Sequence, residues 1–133
     1  DIVTIAVGGG GSPVIKKNKD ELLEGVEAVI DKDLSSALLA KLIDADMLLI
    51  LTSIDKVYLD FNTPNQRGLS SMTVAEAKEY IAAGAFAKGS MLPKVEACLN
   101  FVTGNTKTAI ITSLDDASLA LENKAGTIIV GGN

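Results

Sequence analysis

The chain has 133 residues, 47% of them hydrophobic and 22% charged, with a net charge of -5 and a mean hydropathy of +0.31. That length holds one domain, and the composition suits a buried core rather than a disordered chain. The acidic balance, with Arg67 the sole arginine, argues against a nucleic-acid footprint, and the absence of histidine excludes Ser-His triads, Cys-His dyads and histidine-ligated metals.

The first predicted element is a strand at residues 2–7, an apolar run continuous enough to be covered on both faces. Gly8 to Gly11 follow it. Because the chain opens on Asp1 directly beside this run, it is expected to be a piece of a larger fold. After VEAVI comes a helical pattern in which Leu34, Leu38 and Leu42 repeat every four residues, with Asp31 or Asp33 as its N-cap. Residues 47–51 form a second buried strand; Tyr58 to Phe61 and the Thr63-Pro64-Asn65 turn suggest an inserted hairpin or loop. Thr73 and Glu76 have the spacing of a capping box, opening a helix that stops near Gly84. Pro93 falls near the start of the next helix, where a missing N–H costs little, and Gly104 closes it. A third strand at residues 108–111, a short helix at residues 117–121 signalled by Ser113 and Asp116, and a last strand at residues 127–130 complete the order. Strands of this buried type alternating with helices predict an α/β domain around a mainly parallel sheet.

Cys98, in KVEACLNFV, has helical apolar spacing and is expected to be a small buried thiol. No run approaches the roughly 18 apolar residues of a membrane helix, and the start lacks a basic flank and a cleavage site. A cytoplasmic protein without membrane partners is expected.

Four constellations could carry chemistry. Gly8, Gly9, Gly10 and Gly11 follow a strand and let the backbone approach an anion, although a plain turn explains them equally well. They match neither GxGxxG nor a P-loop, and GAFAKGS at residues 84–90 fails as a P-loop because serine stands where lysine is required. In KGSMLPKVEA, Lys94 lies within about the first turn of a helix, where exposed amides and the dipole already favour anions; an ammonium there suits a phosphate better than it suits helix stability. Asp31, Lys32 and Asp33 crowd another helix start, where capping accounts for one aspartate more easily than two. Thr52 to Asp55 leave the end of a buried strand, the usual place for a ligand in an open α/β sheet, although a plain surface turn explains them equally well. Met91, Phe86 and Tyr58 either pack a purine or fill the core.

Taken together, GGGGSPVI, GVEAVIDKDLSSALLA, LLILTSIDKVYL, GAFAKGSMLPKVEA and TAIITSLDDASLALENKAGTIIV resemble carbamate kinase, of the amino-acid kinase family, from Asp1 to about Val130. The resemblance implies a three-layer α/β/α sandwich, a homodimer in the full-length protein, and reversible phosphoryl transfer between MgATP and carbamate, giving ADP and carbamoyl phosphate, commonly within arginine catabolism. Magnesium would be held mainly by the nucleotide phosphates, with no metal ligands of its own in the chain. By motif, Asp33 would orient catalytic lysines and Lys94 would neutralise the transferring phosphoryl group. Gly8 to Gly11 would border the carbamate, and Thr52, Ser53, Tyr58, Gly89, Ser90 and Met91 the nucleotide. The chain departs from the family at Thr52-Ser53-Ile54-Asp55-Lys56, where Thr-Asp-Val-Asp-Gly is usual, and at Leu92, where glycine is frequent. The family's amino-terminal half, with a further glycine loop and lysine, has no counterpart here, so residues 1–133 form one nucleotide-side portion. The isolated piece is expected to be inactive. A catalytically silent nucleotide-binding or interaction domain is the alternative, as is a related kinase of N-acetylglutamate or UMP, against which the IDKD block argues.

Overall fold

The computed structural model describes residues 2–8, 11–17 and 22–131. In chain order the elements are β1 (Val14–Lys16), β2 (Leu23–Gly25), α1 (Lys32–Leu42), β3 (Met47–Thr52), β4 (Val57–Leu59), β5 (Arg67–Leu69), β6 (Ser71–Thr73), α2 (Val74–Ala82), α3 (Met91–Val102), β7 (Thr108–Ser113), α4 (Ala117–Leu121) and β8 (Thr127–Val130). The central sheet has four strands in the order β3-β7-β8-β6. Neighbours β3 and β7, and β6 and β8, run parallel; β7 and β8 run antiparallel. The sheet is thus mainly parallel, as expected, with one reversal where the short α4 segment returns the chain beside β7.

Burial follows from the apolar runs. Ala109, Ile110, Ile111 and Thr112 of β7 are fully buried, as a central strand covered on both faces requires. On one face Leu48, Ile50, Ala109, Ile111 and Ile129 join one cluster with Ala37 and Ala40 of α1 and with Val95, Cys98, Phe101 and Val102 of α3. Ile110 and Ala120 are buried outside that cluster and mark the second face, where α4 lies against β7. The three expected layers are therefore present, with a thick helical layer and a thin one.

The helix starts obey local chemistry. Asp31, not Asp33, caps α1: its carboxylate accepts the Leu34 N–H at 2.9 Å. Thr73 and Glu76 form the predicted capping box at α2. The Ser113 signal is displaced: its hydroxyl donates to the Asp116 carboxylate and accepts the Asp116 N–H, while the N-cap of α4 is Asp116 itself. Tyr58 and its neighbours do form a hairpin, β4 against β5. It is fastened to the sheet through buried Thr127, whose hydroxyl accepts the Val57 N–H at 2.8 Å and donates to the Leu69 carbonyl at 2.5 Å.

Two expectations are corrected. Residues 2–7 form no strand: they pair with no other described strand, and Ile2, Val3 and Ile5 are more than 90% exposed. An apolar run becomes a strand only when a neighbour completes its ladder. The Leu34, Leu38 and Leu42 repeat is helical, yet these leucines are exposed, and α1 turns Ala37 and Ala40 inward. The β1–β2 hairpin and β6 carry no sequence signal as clear as the longer strands and are additions.

Gly84 and Gly126 both take the left-handed backbone, at φ 70 and 84. A Cβ at Gly84 meets open space, but at Gly126 it would stand 2.8 Å from the Ile111 carbonyl oxygen and 2.9 Å from Thr112 Cβ. Gly84→Ala is expected to cost about 1–2 kcal/mol from backbone strain alone. Gly126→Ala should cost clearly more, and urea unfolding of the two variants side by side checks the order.

Candidate functional site

The parallel pair β3 and β7 ends together, Thr52 opposite Ser113, and the two longest helices begin near that edge. At the start of α3 the backbone enters through the turn containing Gly89, and Ser90 makes no side-chain capping bond. Pro93 occupies the third helical position, where its missing N–H is no loss. Lys94 follows, and its Nζ lies 2.6 Å from Oδ2 of Asp33, the second residue of α1. The pair joins residues 61 positions apart, and its side chains keep 22% and 24% of their surface. That exposure leaves the ammonium reachable by an incoming anion.

Two concavities meet at the first turn of α3. An open groove of about 540 Å³ is lined by Val29, Ile30, Asp31, Lys32, Asp33 and Lys94. A cavity of about 200 Å³ is lined by Thr52, Ser53, Ile54, Tyr58, Phe61, Ala87, Ser90 and Met91. Ser90 and Met91 face the cavity and Lys94 the groove, so one helical turn serves both. The cavity is mostly apolar, with four hydroxyl-bearing residues in its lining (Thr52, Ser53, Tyr58 and Ser90), the character of a site for a flat partly polar ligand.

The turn after β3 forms one wall. Tyr58 donates its phenolic proton to Asp55 Oδ1 at 2.8 Å, and its ring lies 5.9 Å from that of Phe61. Thr112 donates to the Asp55 carbonyl at 3.2 Å, tying the turn to β7. The hydrogen bond to the Asp55 carboxylate, then burial and the negative charge of Asp55, push the Tyr58 phenol above its ordinary value. Beneath the ion pair, Cys98 is fully buried, and burial first and the Asp33 charge second push its thiol well up, partly opposed by Lys94. It stays protonated and offers no nucleophile.

The structure gathers Lys94 and Asp33 in the groove and Thr52, Ser53, Tyr58, Ser90 and Met91 around the cavity. Gly89 lies in the adjoining turn but lines neither. Gly8 and Gly11 line neither, and a Cβ at either would meet nothing within 4 Å; Gly9 and Gly10 lie outside the described residues. Phe86 belongs to the core, edge-on to Tyr80, whereas Met91 is buried and still lines the cavity. Phe61 and Ala87 are cavity residues that sequence reasoning missed, whereas Ile54 lies within the Thr52 to Asp55 turn already singled out. An aromatic three positions after Tyr58 was the available signal for Phe61.

These features place the chain among open-sheet α/β proteins whose candidate site lies at the carboxyl ends of parallel strands. A model of the amino acid kinase family matches residues 2–113, and the chain belongs to that family. It is 55% identical over 128 residues to carbamate kinase 3 of Staphylococcus aureus (strain USA300), covering 96% of this chain and 41% of that protein. It is 51% identical over 130 residues to carbamate kinase of Latilactobacillus sakei, covering 97% of this chain and 41% of that protein. Among solved structures, carbamate kinase from Giardia lamblia bound to AMP-PNP superposes with a TM-score of 0.80 at 40% identity, over 87% of this chain and 41% of that one. The chain thus spans about two fifths of the length of these relatives.

Asp55→Asn should remove both the negative acceptor and its charge, bringing the Tyr58 phenol down toward its ordinary value. Ultraviolet titration of the two tyrosines, with Tyr58→Phe assigning the signal, checks it; an unshifted Tyr58 would mean that the hydrogen bond is not made in solution.

Proposed function

We propose that this chain supplies the nucleotide-side portion of a carbamate kinase, which transfers a phosphoryl group reversibly between MgATP and carbamate. The observation that carries the reading is the Lys94–Asp33 pair at 2.6 Å, set between a groove and an apolar cavity on the same turn of α3. The identities to carbamate kinases and the likeness to an AMP-PNP-bound one support it. In the forward direction a carbamate oxygen attacks the γ-phosphorus, the bond from that phosphorus to the β,γ-bridging oxygen breaks, and ADP leaves with the electron pair. Carbamate already carries an anionic oxygen, so a general base has little to do. Positioned positive charge is what the transfer needs.

Lys94 would meet the phosphoryl oxygens, and Asp33 would hold that ammonium in place as a positioning residue. Thr52, Ser53, Tyr58, Ser90 and Met91, with Phe61, would border the nucleotide, Gly89 would shape the turn beside it, and Gly8 to Gly11 would border the carbamate. Magnesium would enter with the nucleotide phosphates, as the kinase reading implies. No helix among the described residues is long and apolar enough to cross a membrane. A cytoplasmic homodimer working in arginine catabolism is the setting we propose for the whole protein.

A second reading concerns the chain by itself. Among the described residues, the cavity takes its walls from β3, β4, α3 and the turns beside them, and Lys94 and Lys32 are the lysines that line the groove. The isolated 133 residues should bind nucleotide without turnover. ATP formation from ADP and carbamoyl phosphate, measured for this chain and for a protein of the relatives' length containing it, separates the readings. Turnover only in the longer protein is expected, and robust turnover by the short chain would contradict the reading.

In the longer protein, Lys94→Ala should lower kcat by about 10²- to 10³-fold while changing the KM for ADP far less, because its charge meets the transition state more strongly than the ground state. Asp33→Asn should lower kcat strongly without deleting a limb of the pH profile. Since Asp31 holds the cap of α1, loss of capping does not account for such a fall, and an unchanged melting temperature would document that.

A further inference from the structure

Gly68 has no local reason to be a glycine. It lies in β5 directly opposite Tyr58 of β4, its φ is not positive, and the turn of the hairpin is elsewhere, around Thr63-Pro64-Asn65. A glycine inside a strand loses conformational entropy on folding and packs nothing of its own. What explains it is the space it leaves. A Cβ at Gly68 would stand 2.9 Å from Cδ of Lys56 and 3.0 Å from Cε1 of Tyr58, so the lysine stem and the tyrosine ring fill the place of its missing side chain.

The ring seated there is a wall of the cavity. Val57, Leu59 and Leu69 are buried in the core, which leaves Tyr58 and Gly68 on the opposite face of the hairpin. At its far end the ring is tied to Asp55, whose Oδ1 accepts the phenolic proton at 2.8 Å while Lys56 Nζ stands 3.9 Å from Oδ2. Tyr58 and Phe61 line the cavity, whereas Gly68 and Lys56 do not and stand behind the ring. An atom added to Gly68 therefore presses the ring toward the cavity.

Width matters here because the polar side chains of the lining are Thr52, Ser53, Ser90 and Tyr58. The hydroxyls of Thr52, Ser53 and Ser90 can each donate or accept, and the Tyr58 proton is committed to Asp55, so these side chains impose no fixed donor pattern on a ligand. Shape then decides what fits. We propose that Gly68 is a positioning residue that seats the Tyr58 ring and so sets the width of the cavity for a planar nucleobase. The nucleobase rests on the proposed function; the seat does not.

Gly68→Val and Gly68→Ala, in a protein of the relatives' length, test this. Valine suits a strand better than glycine, so a merely structural role predicts equal or higher stability and unaltered kinetics. The seat predicts that Gly68→Val raises the KM for ADP at least about tenfold, leaves kcat and the KM for carbamoyl phosphate nearly unchanged, and that Gly68→Ala does the same to a smaller degree. Ultraviolet titration of the 133-residue chain gives a readout free of catalysis: pressed away from Asp55, the Tyr58 phenol should fall toward its ordinary value. If valine prevents folding, the alanine variant is read in both measurements. An unchanged KM for ADP, a loss of kcat as large as the rise in KM, or an unshifted phenol in a folded variant would each overturn the proposal. Failure of the unmutated longer protein to form ATP would instead remove the kinase reading, and the phenol would still decide the seat.

Discussion

A lysine in the first turn of a helix sits against positive potential, and the candidate site depends on how Lys94 is held there. The dipole of α3 disfavours the ammonium, whereas the dipole of α1 favours the carboxylate of Asp33. Contact between them at 2.6 Å couples the two helix starts into one electrostatic unit. With about a fifth to a quarter of each side chain exposed, solvent screens the pair, and its contribution to folding is correspondingly small. Its value lies in aiming a cation at a groove that an anion can enter.

The fold is arranged around that requirement. For Lys94 and Asp33 to touch, α1 and α3 must begin at the same sheet edge and lie close together. Parallel pairing of β3 and β7 provides the first condition, because α1 precedes β3 and α3 precedes β7, so the two helices start at the same edge. Small buried residues, Ala37 and Ala40 on α1 and Ala97 and Cys98 on α3, serve the second. The turn after β3, pinned by Thr112 to the Asp55 carbonyl and by Thr127 to the Val57 N–H, then closes the cavity beside the same helix turn.

Elements whose signals are local were legible in the sequence. The Thr73–Glu76 box, the Pro93 entry and the continuous runs of β3, β7 and β8 depend on neighbouring residues or on full burial, and each is found where its pattern lies. The Lys94–Asp33 pair was legible as two helix starts of unusual charge, but spacing alone left open whether Asp31 or Asp33 was the cap. Only the Leu34 N–H, turned toward Asp31, separates them. The direction of α1's buried side was not legible, because a leucine repeat and an alanine pair on one helix compete, and close approach to α3 selects the smaller residues. Residues 2–7 failed for the converse reason, since a strand is a property of two segments and the pattern belongs to one. Phe61 was hidden because its role arises from the β4–β5 hairpin bringing its ring near Tyr58, a tertiary effect.

If Asp33 acts through Lys94, the two must be energetically coupled in the reaction and not merely in the fold. A double-mutant cycle on kcat, with Asp33→Asn, Lys94→Ala and the double variant in a protein of the relatives' length, measures that coupling. The account predicts strong non-additivity: once Lys94 is absent, Asp33→Asn should cost at least about tenfold less than it does alone, a coupling within the range of about 0.5–3 kcal/mol seen for contacting residues. Independent, multiplicative losses would show that Asp33 does not work through Lys94.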